Sequence, residues 1–431
     1  MKPHVRLKVK GDLQLPEVPH WQQLLTSKVG AATQLDPAID AIFGKYHLPV
    51  WFTKEYRPMG AGWDRSEIAS GLDRIYRVIV QDDRSIPPEL VKELAALPMV
   101  EQAEIGQIGR VDLPEMLPTQ MSIDTDSRSR EAIYLKQSHQ YSQGNPEIKI
   151  AVLDTGVNLS HPELRSALLP GYDFVNIIDG ADRFLGDYLD ADDSPEDEVG
   201  HGTHVAGIIA AKGVAMPIGV VPHCKIMPVR VLAAMSRGNK RVGAGLVDNI
   251  NAGIKWAIDQ GADVINMSLG IRHTGGGLPH QEVVDYAQRK GVSIVAASGN
   301  DGQEQLYYPA ALPYVITVGA VDEQGDIAGF STYGHQVDLA APGTNIYSSH
   351  LNNAYAFSTG TSHASPFVAG AVALLKSYAL KKKGTNLSDS QIKHILKHTA
   401  DKIDARFKHR KAGFGRLNLL DALRLLDDKL S

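Results

Sequence analysis

Three residues far apart in the chain carry side chains suited to a single piece of chemistry. Ser362 stands in Gly360-Thr361-Ser362-His363-Ala364-Ser365-Pro366, and the apolar run Phe367 to Leu375 that follows reads as a buried helix opening at that serine. A hydroxyl there faces the positive end of a helix. His201 lies in Gly200-His201-Gly202-Thr203-His204-Val205-Ala206-Gly207 and opens a helix of its own, flanked by glycines that allow close backbone approach. Asp154 ends the apolar strand Ile148 to Leu153 and precedes Thr155-Gly156, the kind of strand end at which α/β sheets present functional side chains. An unaided serine hydroxyl is a poor nucleophile. An imidazole must take its proton while a carboxylate fixes the tautomer and stabilises the imidazolium. The trio therefore points to a serine hydrolase.

With these flanks and in the order Asp, His, Ser, the chain resembles the subtilisin-like serine proteases over roughly Ile133 to Leu426. The resemblance implies an endopeptidase that cuts protein or peptide substrates through an acyl-enzyme on Ser362. It further implies that Asn300, ending Val295-Ala296-Ala297-Ser298-Gly299-Asn300, donates to the oxyanion together with the Ser362 amide. A bare asparagine beside glycine also reads as a turn residue. Ser268, Leu269 and Gly270 match the segment that pairs with a substrate backbone and forms one wall of the pocket for the residue before the cut bond, which favours peptides over small esters. The opposite wall should involve Ala297-Ser298-Gly299 and Tyr307-Tyr308-Pro309-Ala310, where Tyr307 is bulkier than many relatives' residue and Asp301 could favour basic side chains.

Two readings concern metals. His201 and His204 are spaced as a metal pair, yet Gly202 stands where a zincin needs glutamate, so His204 reads as structural. The acidic run Asp190 to Glu198 offers hard oxygen ligands suited to calcium. The resemblance implies a structural calcium site drawing on Asp173, Asp190 and Asp192, against the plainer alternative of a solvated loop. A second, asparagine-rich calcium loop is replaced by Lys212 to Pro217 and is expected to be absent.

The elements that must position these residues alternate: strand Ile148 to Leu153, helix from His201, strand Lys225 to Val231, helix Val247 to Gln260, strand Val264 to Met267, helix Glu282 to Lys290, strand Val292 to Ala296 and strand Val315 to Val321. Alternation of this kind implies an α/β fold, a mostly parallel sheet covered by helices on both faces. Ser388 caps a late helix to about Thr399, and Gly413 to Asn418 resembles the family's C-terminal signature. Upstream, strands Val50 to Tyr56 and Arg74 to Val80, a helix from Pro87-Pro88 to Leu97 and strand Val100 to Ile105 form a small α+β unit. Before a subtilase domain, Glu89 to Leu94 through Val100 to Glu104 resembles the second half of an inhibitory propeptide, so the chain's own pro-region is an expected partner. The boundaries expected are an N-terminal extension at 1–45 of unknown role, the propeptide-like domain at 46–112, a linker at 113–130 cut between about Asp112 and Ser122, and the catalytic domain at 131–431.

At 431 residues the chain exceeds one ordinary core. Its 44 basic and 49 acidic residues give a net charge of −5, which points to no nucleic-acid partner and no membrane surface, and Lys381-Lys382-Lys383 reads as a solvated loop. Cys224, the only cysteine, excludes an intrachain disulfide and reads as a small buried hydrophobe. The basic start has no apolar stretch behind it, so the chain as written is expected to be cytoplasmic, or secreted if a leader has been removed. Two rivals remain: a peptide-ligating or macrocyclising relative that resolves the same acyl-enzyme with an amine, and an inactive binding scaffold.

Overall fold

The computed structural model describes the chain apart from residues 1, 12, 27–29, 112–115, 120–126, 177–183, 190, 238–239 and 273–277. Its centre is a seven-stranded, wholly parallel sheet in the order Leu339–Pro342, Val315–Val321, Ser293–Ala297, Val264–Met267, Lys149–Asp154, Lys225–Arg230, Tyr172–Asp173. Side chains alternate across a strand, so Lys149–Asp154 feeds both faces. Ile150 and Val152 join the core under the helices His201–Ala210 and Thr361–Lys383, while Ala151 and Leu153 join that under Val247–Asp259 and Gln281–Lys290. Two covered faces explain why these strands read as unbroken apolar runs.

The N-terminal unit is a four-stranded antiparallel sheet in the order Val50–Lys54, Ile75–Val80, His4–Val9, Val100–Ile105, with the helix Pro88–Ala95 packed on it. This corrects the boundary expected at residue 45. His4–Val9 fills the gap between Ile75–Val80 and Val100–Ile105, so the described part of 1–45 belongs to this unit. The helix Pro37–Lys45, capped by Asp36, adds Ile39 and Phe43 to its core. A second short helix of this segment spans Gln23–Thr26.

The period-2 pattern of His4–Val9 settles how the two units meet. Val5, Leu7 and Val9 enter the small unit's own core, while His4 and Arg6 point the other way and are still buried. Beneath them lie the first turns of two catalytic-domain helices. Asp248 takes His4 Nε2 at 2.5 Å and Arg6 Nε at 3.4 Å, and Glu282 pairs with Arg6 and accepts from the Tyr56 hydroxyl at 2.8 Å. Arg77 forks onto Glu55 at 2.7 and 2.5 Å, with both side chains fully buried. Buried charges persist only when paired and hydrogen-bonded, which accounts for the density of pairs here. Among the described residues, no helix is long and apolar enough to cross a membrane.

Candidate active site

Asp154, His201 and Ser362 arrive from three elements. The first ends a central strand, and the other two open buried helices. Asp154 Oδ1 lies 2.6 Å from His201 Nδ1 and also accepts the Thr155 amide at 2.8 Å. Such close approach requires Gly202, where an added methyl would sit 2.1 Å from the Gly156 carbonyl. On the far side of the ring, neither His201 Nε2 nor the buried Ser362 Oγ has a hydrogen-bond partner among the described residues. Burial alone would lower the His201 pKa, but the adjoining Asp154 carboxylate outweighs it and holds the imidazole above its ordinary value.

The helix that carries Ser362 has an uncommon start. Pro366 lies four residues after Ser362 and lacks the N–H that would close the first turn, so the Ser362 carbonyl is free. Ser268 Oγ donates to that carbonyl at 2.7 Å and is itself held by Asn266 Nδ2 at 3.0 Å. The side chain of Ser268 thus anchors the turn that carries Ser362.

Asn300 sits beyond the strand Ser293–Ala297 with its Oδ1 turned to Thr361, accepting the backbone N–H at 2.8 Å and the hydroxyl at 2.9 Å. With the oxygen engaged, the Nδ2 donor end has no partner among the described residues. Ser268, Leu269, Gly270, Asn300 and Ser362 line one cleft of about 520 Å³.

Two contributors escaped the sequence reading. Thr361, next to the nucleophile, fixes the Asn300 amide. Asp197, inside the acidic run, accepts from the amides of Val199 and Gly200 (2.9 Å each), and from the amide (2.9 Å) and hydroxyl (2.6 Å) of Thr203. It supplies the acceptor that the glycine at the start of the His201 helix lacks. An acidic residue just ahead of a helix start is the signal that would have found it.

The histidine pair turns to different partners. His204 Nε2 lies 3.0 Å from the Ile346 carbonyl and 3.1 Å from that of Ala356, and burial lowers its pKa to about 3. The calcium expectation needs correction at Asp173. One of its oxygens accepts the Val175 amide at 2.7 Å and the other is paired with the buried guanidinium of Arg230, which already supplies the positive charge. Asp192 is exposed and accepts the Ser194 amide, and Asp190 lies outside the described residues. Among the described residues, no three acidic, histidine or cysteine side chains converge as a metal site, and Asp173 in particular does not fit a cation because Arg230 already meets its carboxylate. Cys224 is buried 3.5 Å from Ser377 Oγ, with burial pushing its thiol up to about 11.

A family model described as the subtilase family matches residues 145–415, the whole span that carries this geometry. This chain belongs to the subtilase family. It is 37% identical over 340 residues to a thermophilic serine proteinase of Bacillus sp. (strain AK1), covering 78% of this chain and 75% of that protein. It is 40% identical to thermitase of Thermoactinomyces vulgaris over 59% of this chain and 81% of thermitase. The major intracellular serine protease of Bacillus subtilis (strain 168) is 36% identical over 66% and 86% of the two chains. Among solved structures, the prenylagaramide maturation protease PagA aligns with a TM-score of 0.56 at 30% identity, covering 68% of this chain and 98% of that one. This subtilase is therefore a subtilisin-like serine endopeptidase.

Proposed function

We propose that this subtilase is made as a self-inhibited zymogen whose residues 1–111 occupy the enzyme's own cleft until the chain is cut once. The supporting observation is a pair of strands on either side of the nucleophile. Ile108–Val111 pairs antiparallel with Lys240–Leu246, Gly109 opposite Gly245 and Val111 opposite Gly243, and Ile108 and Gly109 line the cleft that Ser362 lines. Met116–Thr119 then pairs with Tyr355–Ser358, the strand that leads into Ser362. Antiparallel addition to a free strand edge is how peptides are gripped by their backbone. The first strand ends at Val111 and the second begins at Met116, so the bonds from Val111 to Met116 are the ones to be cut first.

In the reaction we propose, Ser362 Oγ attacks the carbonyl carbon as its proton passes to His201 Nε2. Asp154 keeps the ring oriented and offsets the charge that forms on it. The carbonyl electrons move onto oxygen, where Asn300 Nδ2 and the Ser362 amide receive them. His201 then gives its proton to the leaving amine, and water repeats the cycle on the acyl-enzyme. N-terminal sequencing of the incubated wild-type chain tests the zymogen. A new terminus should appear between residues 112 and 116, the two fragments should stay together, and Ser362→Ala should remain whole. A fully active enzyme whose terminus is still Met1 would sink the proposal. Mass spectrometry of the products separates hydrolysis from ligation, since hydrolysis leaves a free carboxylate on the acyl half.

A further inference from the structure

One feature of the cleft is not explained by hydrolysis itself. The two backbones expected to bound the pocket for the residue before the cut bond, 268–270 and 297–299, have the Tyr307 ring between them. A methyl group added at Gly299 would lie 2.7 Å from ring atom Cδ2, and one added at Gly270 would lie 3.2 Å from Tyr307 Cβ. The ring is also held in place. The two-residue strand Tyr307–Tyr308 pairs with Ile271–Arg272, setting Arg272 opposite Tyr307. Arg272 Nε donates to the Tyr307 hydroxyl at 2.9 Å, the hydroxyl donates to Asp301 Oδ2 at 2.7 Å, and Arg272 closes the triangle with an ion pair to Asp301. The guanidinium also lies 5.6 Å from the ring centroid, within range of a cation–π contact.

We propose that Tyr307, clamped by Arg272 and Asp301, selects substrates with a short, non-basic side chain immediately before the cut bond. The inference rests on the protease reading and adds a substrate class to it. A ring filling the space between two backbone walls leaves little depth for an aromatic or long aliphatic side chain. Tyr307 stays in that position because swinging out would break two hydrogen bonds. Asp301 does not recruit lysine or arginine, since its carboxylate is already committed to Arg272.

The test uses the full chain after incubation, once it degrades a generic unfolded protein, and peptides identical except for Ala, Phe or Lys before the cut. Wild type should cleave the Ala peptide with kcat/KM about 10- to 100-fold above the Phe and Lys peptides, the range a pocket's shape can discriminate. Tyr307→Gly should invert the Ala to Phe order. Arg272→Ala removes a half-exposed side chain and serves if the glycine variant does not fold. It should narrow the Ala to Phe ratio at least about threefold, a small part of that same range. The proposal is overturned if wild type prefers Phe or Lys, or if neither variant moves the ratio. Absence of any cleavage by wild type would instead strike at the protease reading, so the two failures are distinguishable.

Discussion

At the scale of single residues, the site divides into groups that react and groups that hold them. Ser362→Ala should lower kcat by about 10⁶, the scale known for removing subtilisin's nucleophile, checked with a peptide that releases a chromophore. Asn300→Ala should lower kcat by about 10² to 10³, as subtilisin's oxyanion asparagine does, with KM little changed, because its donor faces charge that exists only in the transition state. A loss confined to KM would make Asn300 a ground-state binding group. The raised pKa of His201 has its own consequence. The imidazole must be unprotonated to accept the serine proton, and Asp154 favours the protonated form. The kcat/KM profile should therefore rise with pH through an apparent pKa above the usual histidine value of about 6.5. Asp154→Asn should move that limb downward along with its loss of rate. Burial drives the His363 pKa far below this range, so the imidazole 5.4 Å from the His201 ring stays neutral throughout.

At the scale of elements, catalysis depends on how two helices begin. The helix His201–Ala210 starts at a glycine with φ of 97°, a conformation glycine adopts without strain, and a glycine brings no side chain to satisfy the first amides. Asp197 does so from outside, and Thr155 bridges it to the Asp154 strand by donating to Asp197 Oδ1 at 2.9 Å and accepting from the Gly202 amide at 3.0 Å. Asp197→Ala should cost about 2 kcal/mol of stability, the upper end for losing a helix cap, since several buried donors lose one acceptor. It should also cut kcat by up to about 10², the cost of small misplacements, while KM holds. Thermal melts and kinetics on one preparation check both. A stability loss with unchanged kcat would make Asp197 merely structural.

At the scale of the whole molecule, two units are joined by charge as well as by apolar surface. Tyr56, Leu72 and Ile75 of the N-terminal unit belong to the apolar cluster of the catalytic domain. Around them His4 pairs with Asp248, Arg6 with Asp248 and Glu282, and Arg77 with Asn249, while Glu104 and Glu55 brace Arg6 and Arg77 from within the N-terminal unit. Burial alone would raise Asp248, but the His4 hydrogen bond and the charges of His4, Arg77 and Arg6 overcome it and hold the carboxyl well below its ordinary range. A depressed carboxyl adds stability above its unfolded pKa of about 3.9, and that stability drains away as pH falls further. Once the chain is cut, the fragments should co-elute near neutrality and separate progressively on size exclusion as pH falls from about 4 toward the depressed range of Asp248. Asp248→Ala strands Arg6 and His4 without their partner and should weaken docking by about 3–5 kcal/mol, releasing the small fragment at neutral pH. Co-elution of the variant's fragments at every pH would refute this account of the interface.

The amino-acid sequence by itself determined what depends on neighbours in the chain. The flanks of Asp154, His201 and Ser362, the starts of the two buried helices, and the apolar strands of the parallel sheet were all legible, because these signals repeat within a few residues. The tertiary structure decided what depends on partners far along the chain. His4–Val9 alternates charged and apolar residues, as a half-solvated strand would, yet its polar face is covered by two helices whose contact residues lie 244 and 276 positions on. Asp173 read as a cation ligand because nothing local marks Arg230, 57 residues on, as the charge that meets it. Tyr307 read only as bulky, and it took the pairing of Ile271–Arg272 with Tyr307–Tyr308 to show what holds its ring. Periodicity along the chain fixes which face a side chain takes, but burial and charge pairing depend on what packs against that face.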